Sequence, residues 1–162
     1  MTKRIYRITF QVTGANKFGA DTGILSLLKG DSLVVRSSGF SGGLKSPVGS
    51  KPIPTETYHI NLSIRQAVSA YKSPPDTPEA MHHWYGIEKI DAPEWQFEWG
   101  NYRAALNEPK QGMAQDYRGN FLHGKVRDDD YTHGCICERS EVVLKMLWGL
   151  PADNVVAVKV VR

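Results

Sequence analysis

The chain has 162 residues, of which 41% are hydrophobic, 23% charged and 10% aromatic, and 20 basic against 17 acidic side chains leave a net charge of +3. That length suits one domain over residues 1–162 with a core of its own, and so small a positive excess does not by itself point to nucleic acid. The two cysteines, Cys135 and Cys137, are too few for a disulfide scaffold and too close together to close a loop.

In chain order, the N-terminus comes first. After Met1–Arg4, the residues Ile5, Arg7 and Thr9 alternate with Tyr6, Ile8 and Phe10. This period of two predicts a strand over 3–12, not an export segment. No run approaches the roughly 18 apolar residues of a membrane-spanning helix. The expectation is a chain with no signal peptide, made in the cytoplasm and leaving it only through a signal-free secretion machine. Short apolar runs at 23–28 and 33–36, parted by Lys29-Gly30-Asp31, predict two strands joined by a tight turn. Residues 37–56 are rich in glycine and proline and predict a long irregular connection, and 57–62 return to a strand pattern.

Ser63 can cap a helix over 63–71, with Ile64, Ala67, Val68 and Tyr71 on one face, ended by Pro74 and Pro75. Residues 76–120 hold Trp84, Trp95 and Trp99 but few aliphatics, and read as loops and short helices over the core. The aromatics of 84–102 suit either a glycan or peptide groove or core packing, and His82-His83 reads better as surface than as a second site.

Further on, 120–124 are apolar up to a turn at Gly124, and 125–131 form a charged, exposed loop. Its Asp128-Asp129-Asp130 run reads as solvated acids rather than a cation site. Ser140 to Trp148 predicts a capped amphipathic helix stopped by Gly149 and Pro151, with Glu141 favouring its positive end. The β-branched run 155–161 predicts the last strand. Together these elements predict an α+β fold with a β-dominated core.

The chemistry concentrates in residues 121–140. Cys135 follows Gly134, with His133 two positions and His123 twelve positions upstream. A nucleophilic thiol needs a base or a positive local field to make thiolate. His123 is far enough away to face the sulfur from another strand, and His133 points the same way as Cys135 if the segment is extended. Gly134 frees backbone amides for an oxyanion. Spacing also allows a rival reading, in which His123, His133, Cys135 and Cys137 ligate a structural zinc.

The segment His123-Gly124, seven residues, then Thr132-His133-Gly134-Cys135-Ile136 resembles the signature of the L,D-transpeptidase catalytic domain family. Residues 53–60, with Tyr58, resemble an upstream element of the same family. The resemblance implies a β-sandwich-like core with short helices, and Cys135 as nucleophile toward peptidoglycan stem tetrapeptides. It implies His123 as base oriented by the Gly124 carbonyl, Gly134 and Cys135 amides for the oxyanion, and His133 in support. Thr132, Arg139 and Tyr58 are implied as substrate contacts. The activity implied is L,D-transpeptidation or L,D-carboxypeptidation through a thioacyl-enzyme, with no cofactor.

Three departures stand out: Cys137 where the family commonly has arginine, a short His-to-Cys interval, and Glu56 where the upstream element has glycine. With the missing signal they suit the compact effectors injected by type VI secretion, which implies periplasmic action and an immunity or secretion partner. The alternatives are a zinc-stabilised binding module and an inactive wall-binding relative.

Overall fold

The computed structural model describes residues 3–68, 86–107 and 120–162. Among these the protein is β-dominated, with ten strands and two short helices, and so of α+β character. The strands are β1 (Tyr6–Ala15), β2 (Asp21–Lys29), β3 (Ser32–Ser41), β4 (Thr57–Asn61), β5 (Arg65–Val68), β6 (Ile87–Ile90), β7 (Tyr102–Ala105), β8 (Phe121–His123), β9 (Ile136–Cys137) and β10 (Val155–Val161). The helices are α1 (Pro93–Trp99) and α2 (Val142–Gly149). No helix among the described residues is long and apolar enough to cross a membrane.

The strands form one sheet in the order β4-β10-β1-β2-β3-β9-β8-β7-β6-β5. It begins with the antiparallel meander β1–β2–β3, whose second turn, Gly30-Asp31, joins Lys29 to Ser32 as the sequence predicts. Alternation then decides which side chains go inward. Ile8 and Phe10 of β1, Leu25 and Leu27 of β2, and Val156, Val158 and Val160 of β10 are all buried in one cluster. The sheet curls until its first edge strand meets the chain just past β7. There the His59 amide donates to the Asn107 carbonyl at 2.8 Å and the Asn107 amide to that of His59 at 2.9 Å. Ile87, Ala104, Leu122 and Ile136 from the second half thereby join the same core, which α2 fills with Val143, Leu144 and Leu147.

Several expectations are corrected here. The segment 65–68 is a strand, paired in parallel with β6, and not part of a helix. Ile64 and Val68 are both buried, and positions four apart share a face under either period, so the pattern itself was ambiguous. Residues 69–71, like His82, His83, Trp84 and Tyr85, lie outside the described residues. Within 86–107 there are two strands flanking α1 rather than loops and helices alone. The strands are four residues each, too short to show a period.

The 125–131 loop is less exposed than its charges suggest, since Lys125 and Tyr131 are buried. The start of α2 is also different. Its N-cap is Glu141, not Ser140, at φ 54° and without a side-chain cap bond. The buried carboxylate of Glu138 caps the helix instead, accepting the amides of Val143 and Leu144 at 3.0 Å each. Ser37 donates to the same carboxylate, and the Glu138 amide donates to the His123 carbonyl at 2.8 Å. One acidic residue thus ties α2, β3 and β8 together.

Candidate active site

The segment 132–136 is organised by one hydroxyl. Thr132 Oγ1 accepts the amides of Gly42 at 2.9 Å and Gly134 at 3.1 Å and donates to the Cys135 carbonyl at 2.7 Å. Gly134 sits at φ 119°, a conformation that L side chains rarely adopt, so the chain bends here instead of running extended. Thr132 is therefore spent on shaping the loop rather than on a substrate contact. The Gly134 amide, implied as an oxyanion donor, is engaged by Thr132 in this resting arrangement.

This bend delivers Cys135 to the side of the sheet that carries Phe121, away from the main core that receives Ile136. The Phe121 amide donates to Cys135 Sγ at 3.4 Å. Burial nonetheless pushes the thiol up to about 11, against the pull of that amide and of the cations Arg103 and Lys125.

His123 ends β8 and is 5% exposed, with its ring edge-on to Trp99 at a centroid separation of 4.9 Å. Its Nδ1 contacts the Gly124 carbonyl. A carbonyl can only accept, so Nδ1 carries the hydrogen and Nε2 holds the lone pair. Burial lowers the imidazole to about 4; the Gly124 carbonyl opposes this, and Lys125 and Arg103 add to it. At neutral pH the pair is therefore a neutral thiol and a neutral imidazole, not a preformed thiolate–imidazolium.

Cys135 and His123 line one cavity of about 400 Å³, together with Trp99, Asn120, Thr132 and His133. Its remaining wall, Glu98, Lys125, Arg127 and Tyr131, is a tied charge network. Lys125 Nζ donates to the Tyr131 carbonyl at 2.6 Å and pairs with Asp129 at 2.8 Å. Arg127 pairs with Glu98 of α1 at 2.8 Å and with Asp129 at 2.7 Å. Asp129 is held below the usual carboxylate range by Lys125, Tyr131 and Arg127, although its own burial acts the other way. The loop between His123 and Cys135 thus forms the mouth of the cavity and is locked to α1.

Of the sequence-derived candidates, the cavity gathers His123, Thr132, His133 and Cys135, with Gly124 and Gly134 beside them. His133 is exposed at its edge. Arg139 is not gathered. It pairs with Asp130 at 2.6 Å, donates to the Asp129 carbonyl at 2.9 Å, and lines a different hollow with Phe40 and Ser38. Tyr58 is not gathered either, because it is fully buried in the main core with its hydroxyl on the Pro54 carbonyl at 3.0 Å. Cys137 packs with Ala20 and Phe40, and burial pushes its thiol up to about 12. Among the described residues no three His, Cys, Asp or Glu side chains converge as a metal site, so the tetrad that spacing allowed for zinc is not assembled.

Sequence reasoning missed Lys125, Arg127 and Glu138 as parts of the site; Trp99, one of the aromatics read as groove or core, lines the cavity, and Glu141, read as favouring the positive end of the helix, faces Gly124. The carboxylate of Glu141 accepts the Asn101 amide at 2.8 Å, the Asn101 side chain at 2.8 Å and the Tyr102 amide at 3.0 Å. A Cβ on Gly124 would come 2.1 Å from that carboxylate, so glycine is required beside His123 for close approach. The only signal for these residues was charge and aromaticity near the motif. No family model matches the chain, and no curated protein matches it.

Proposed function

We propose that the protein is a cysteine-dependent acyl-transferase or peptidase of L,D-transpeptidase type that acts on peptidoglycan stem tetrapeptides. The observation that carries this reading is the shared cavity of Cys135 and His123, with Nδ1 of His123 engaged by the Gly124 carbonyl. The motif 123–136 and the curled sheet, whose two halves face each other across one core, support it at the level of pattern and architecture.

In this reading Nε2 of His123 takes the Cys135 proton as Sγ attacks the carbonyl carbon of the bond to the terminal D-residue. Collapse of the tetrahedral species returns that proton to the leaving amine and leaves a thioester. An amine then gives transpeptidation, and water gives carboxypeptidation. The tied loop of Lys125, Arg127 and Tyr131 forms the wall against which the donor peptide lies. The substrate is a wall component, so the reading also entails delivery to the periplasm, in keeping with an injected antibacterial effector.

The test is mass spectrometry of disaccharide tetrapeptides incubated with the reduced protein, with and without a free D-amino acid. Loss or exchange of the terminal D-residue, abolished in Cys135→Ala, is the expected result. An unchanged tetrapeptide removes the enzyme reading. If the unchanged tetrapeptide nevertheless binds, the inactive wall-binding relative replaces it.

A further inference from the structure

Behind the cavity, three strands place Glu88, Arg103 and His123 in one row. Glu88 of β6 is the register partner of Arg103 on β7, and Arg103 is the partner of His123 on β8. Directly opposite residues of antiparallel strands share a face, so the row lies on the side that carries Phe121 and Cys135. Arg103 and Glu88 are buried at 2% and 3% exposure and joined by two hydrogen bonds, at 3.0 and 3.1 Å. The guanidinium also lies 4.7 Å from the ring centre of Trp95, 4.8 Å from Trp99 and 5.2 Å from Phe121. Two of those residues touch the pair: the Trp99 ring packs on His123, and the Phe121 backbone amide bonds Cys135 Sγ.

We propose that Arg103 is a positioning residue for the Cys135–His123 pair. Glu88 holds its guanidinium in the aromatic cage that braces His123, and so fixes a positive charge in the row of side chains behind the thiol. This rests on the reading of Cys135 and His123 as nucleophile and base. A buried ion pair contributes little net stability and demands good geometry, so a role in reactivity gives it a reason to be there. The positive charge of Arg103 bears on both Cys135 and His123, and the Glu88 carboxylate bound to the guanidinium offsets part of it. Among the described residues, Lys125 also acts on both groups and Glu98 on His123. A positive charge here favours the thiolate that forms during attack and disfavours the imidazolium at rest.

The test measures the rate at which iodoacetamide alkylates Cys135 in the folded full chain between pH 6 and 9, located by peptide mass, with a thermal melt of each variant. The double variant Arg103→Leu with Glu88→Leu removes the pair without leaving an orphan charge. It is expected to react at least tenfold more slowly at pH 8, whereas Arg103→Lys, which keeps the charge, stays within threefold of the parent. Glu88→Gln keeps the cage but removes the counter-charge, and reacts at least threefold faster. In parallel, the NMR titration midpoint of His123 rises in the double variant and falls in Glu88→Gln.

Melting temperatures that fall while alkylation rates and His123 midpoints stay put mean a purely structural pair and overturn the proposal. So does Arg103→Lys reacting as slowly as the double variant. If the double variant does not fold, Glu88→Gln decides alone, and an unchanged rate and midpoint there overturn the proposal. Alkylation needs no muropeptide, so failure of the muropeptide assay leaves these rates readable. Silent charge variants in a protein that still turns muropeptides over remove this inference alone.

Discussion

The hydroxyl of Thr132 donates to the carbonyl of Cys135 at 2.7 Å while accepting two backbone amides, from Gly42 and Gly134. A side chain next to the exposed His133 thus holds the bend that aims the thiol. Thr132→Val keeps the shape and removes all three bonds, and each buried group left unpaired costs about 1–3 kcal/mol. The expected outcome is a large drop in the urea midpoint, with Thr132→Ser close to the parent. A valine variant as stable as the parent would contradict the assigned role.

The neutral resting pair has a kinetic signature. With the thiol of Cys135 at about 11, its thiolate fraction rises tenfold per pH unit across the neutral range. Alkylation of Cys135 in the parent protein should therefore climb log-linearly from pH 6 to 9. A plateau near pH 7 would mean a preformed thiolate–imidazolium and sink this account of the site.

Burial of His123 also sets a pH dependence of stability. The unfolded chain binds the imidazole proton near 6.5 and the folded chain only near 4, so between these values the unfolded state holds more protons. Stability then rises with pH through that window, and acidification from 6.5 to 4 removes up to about 3 kcal/mol. Urea melts at pH 4, 5 and 7 should show His123→Asn losing less over this range than the parent. Parallel losses in the two proteins would refute the linkage.

Glu138 offers a test of how the motif is anchored. Its fully buried carboxylate caps α2 while its amide holds the His123 carbonyl. Glu138→Ala strands the Val143 and Leu144 amides and should cost about 2–4 kcal/mol by chemical denaturation, since both bonds are to a charged acceptor. Glu138→Gln keeps one acceptor oxygen and should fall between the two. An alanine variant within 0.5 kcal/mol of the parent, roughly the scatter of surface substitutions, would count against the cap.

Gly124 and Glu141 should be coupled. A methyl at Gly124 would meet the Glu141 carboxylate at 2.1 Å, and that carboxylate is fixed by Asn101 and Tyr102. Gly124→Ala is expected to destabilise the protein by about 1–3 kcal/mol through overpacking. Adding Glu141→Ala should give back part of that loss, measured as a double-mutant cycle. Strict additivity of the two losses would show that the contact does not constrain the glycine.

Much of the sheet was legible in the sequence because its strands carry local signals. Alternation in 5–10, the turn at Gly30-Asp31 and the β-branched run at 155–161 each report their own backbone. The strand 65–68 reads as helix in the sequence because Ile64 and Val68 stand four apart, a spacing both periods share. The strands β6 and β7, at four residues each, are too short to declare a period, and β7 owes its place to pairing on both sides. In the site, the local chain 123–135 named its cysteine, histidine and glycines. Arg139 and Tyr58 were placed by pattern alone, and their side chains went to an ion pair with Asp130 and to the main core.

By itself, then, the sequence determined the β-rich character of the chain and the short segment in which its reactive groups lie. Both depend on the order of neighbouring residues. Tertiary structure alone decided what surrounds those groups. The register of β6, β7 and β8 aligned Glu88, Arg103 and His123, and burial among Trp95, Trp99 and Phe121 set the protonation of the thiol and imidazole. Electrostatic energies depend on distance through space and on exclusion of water, and neither quantity is written along the chain.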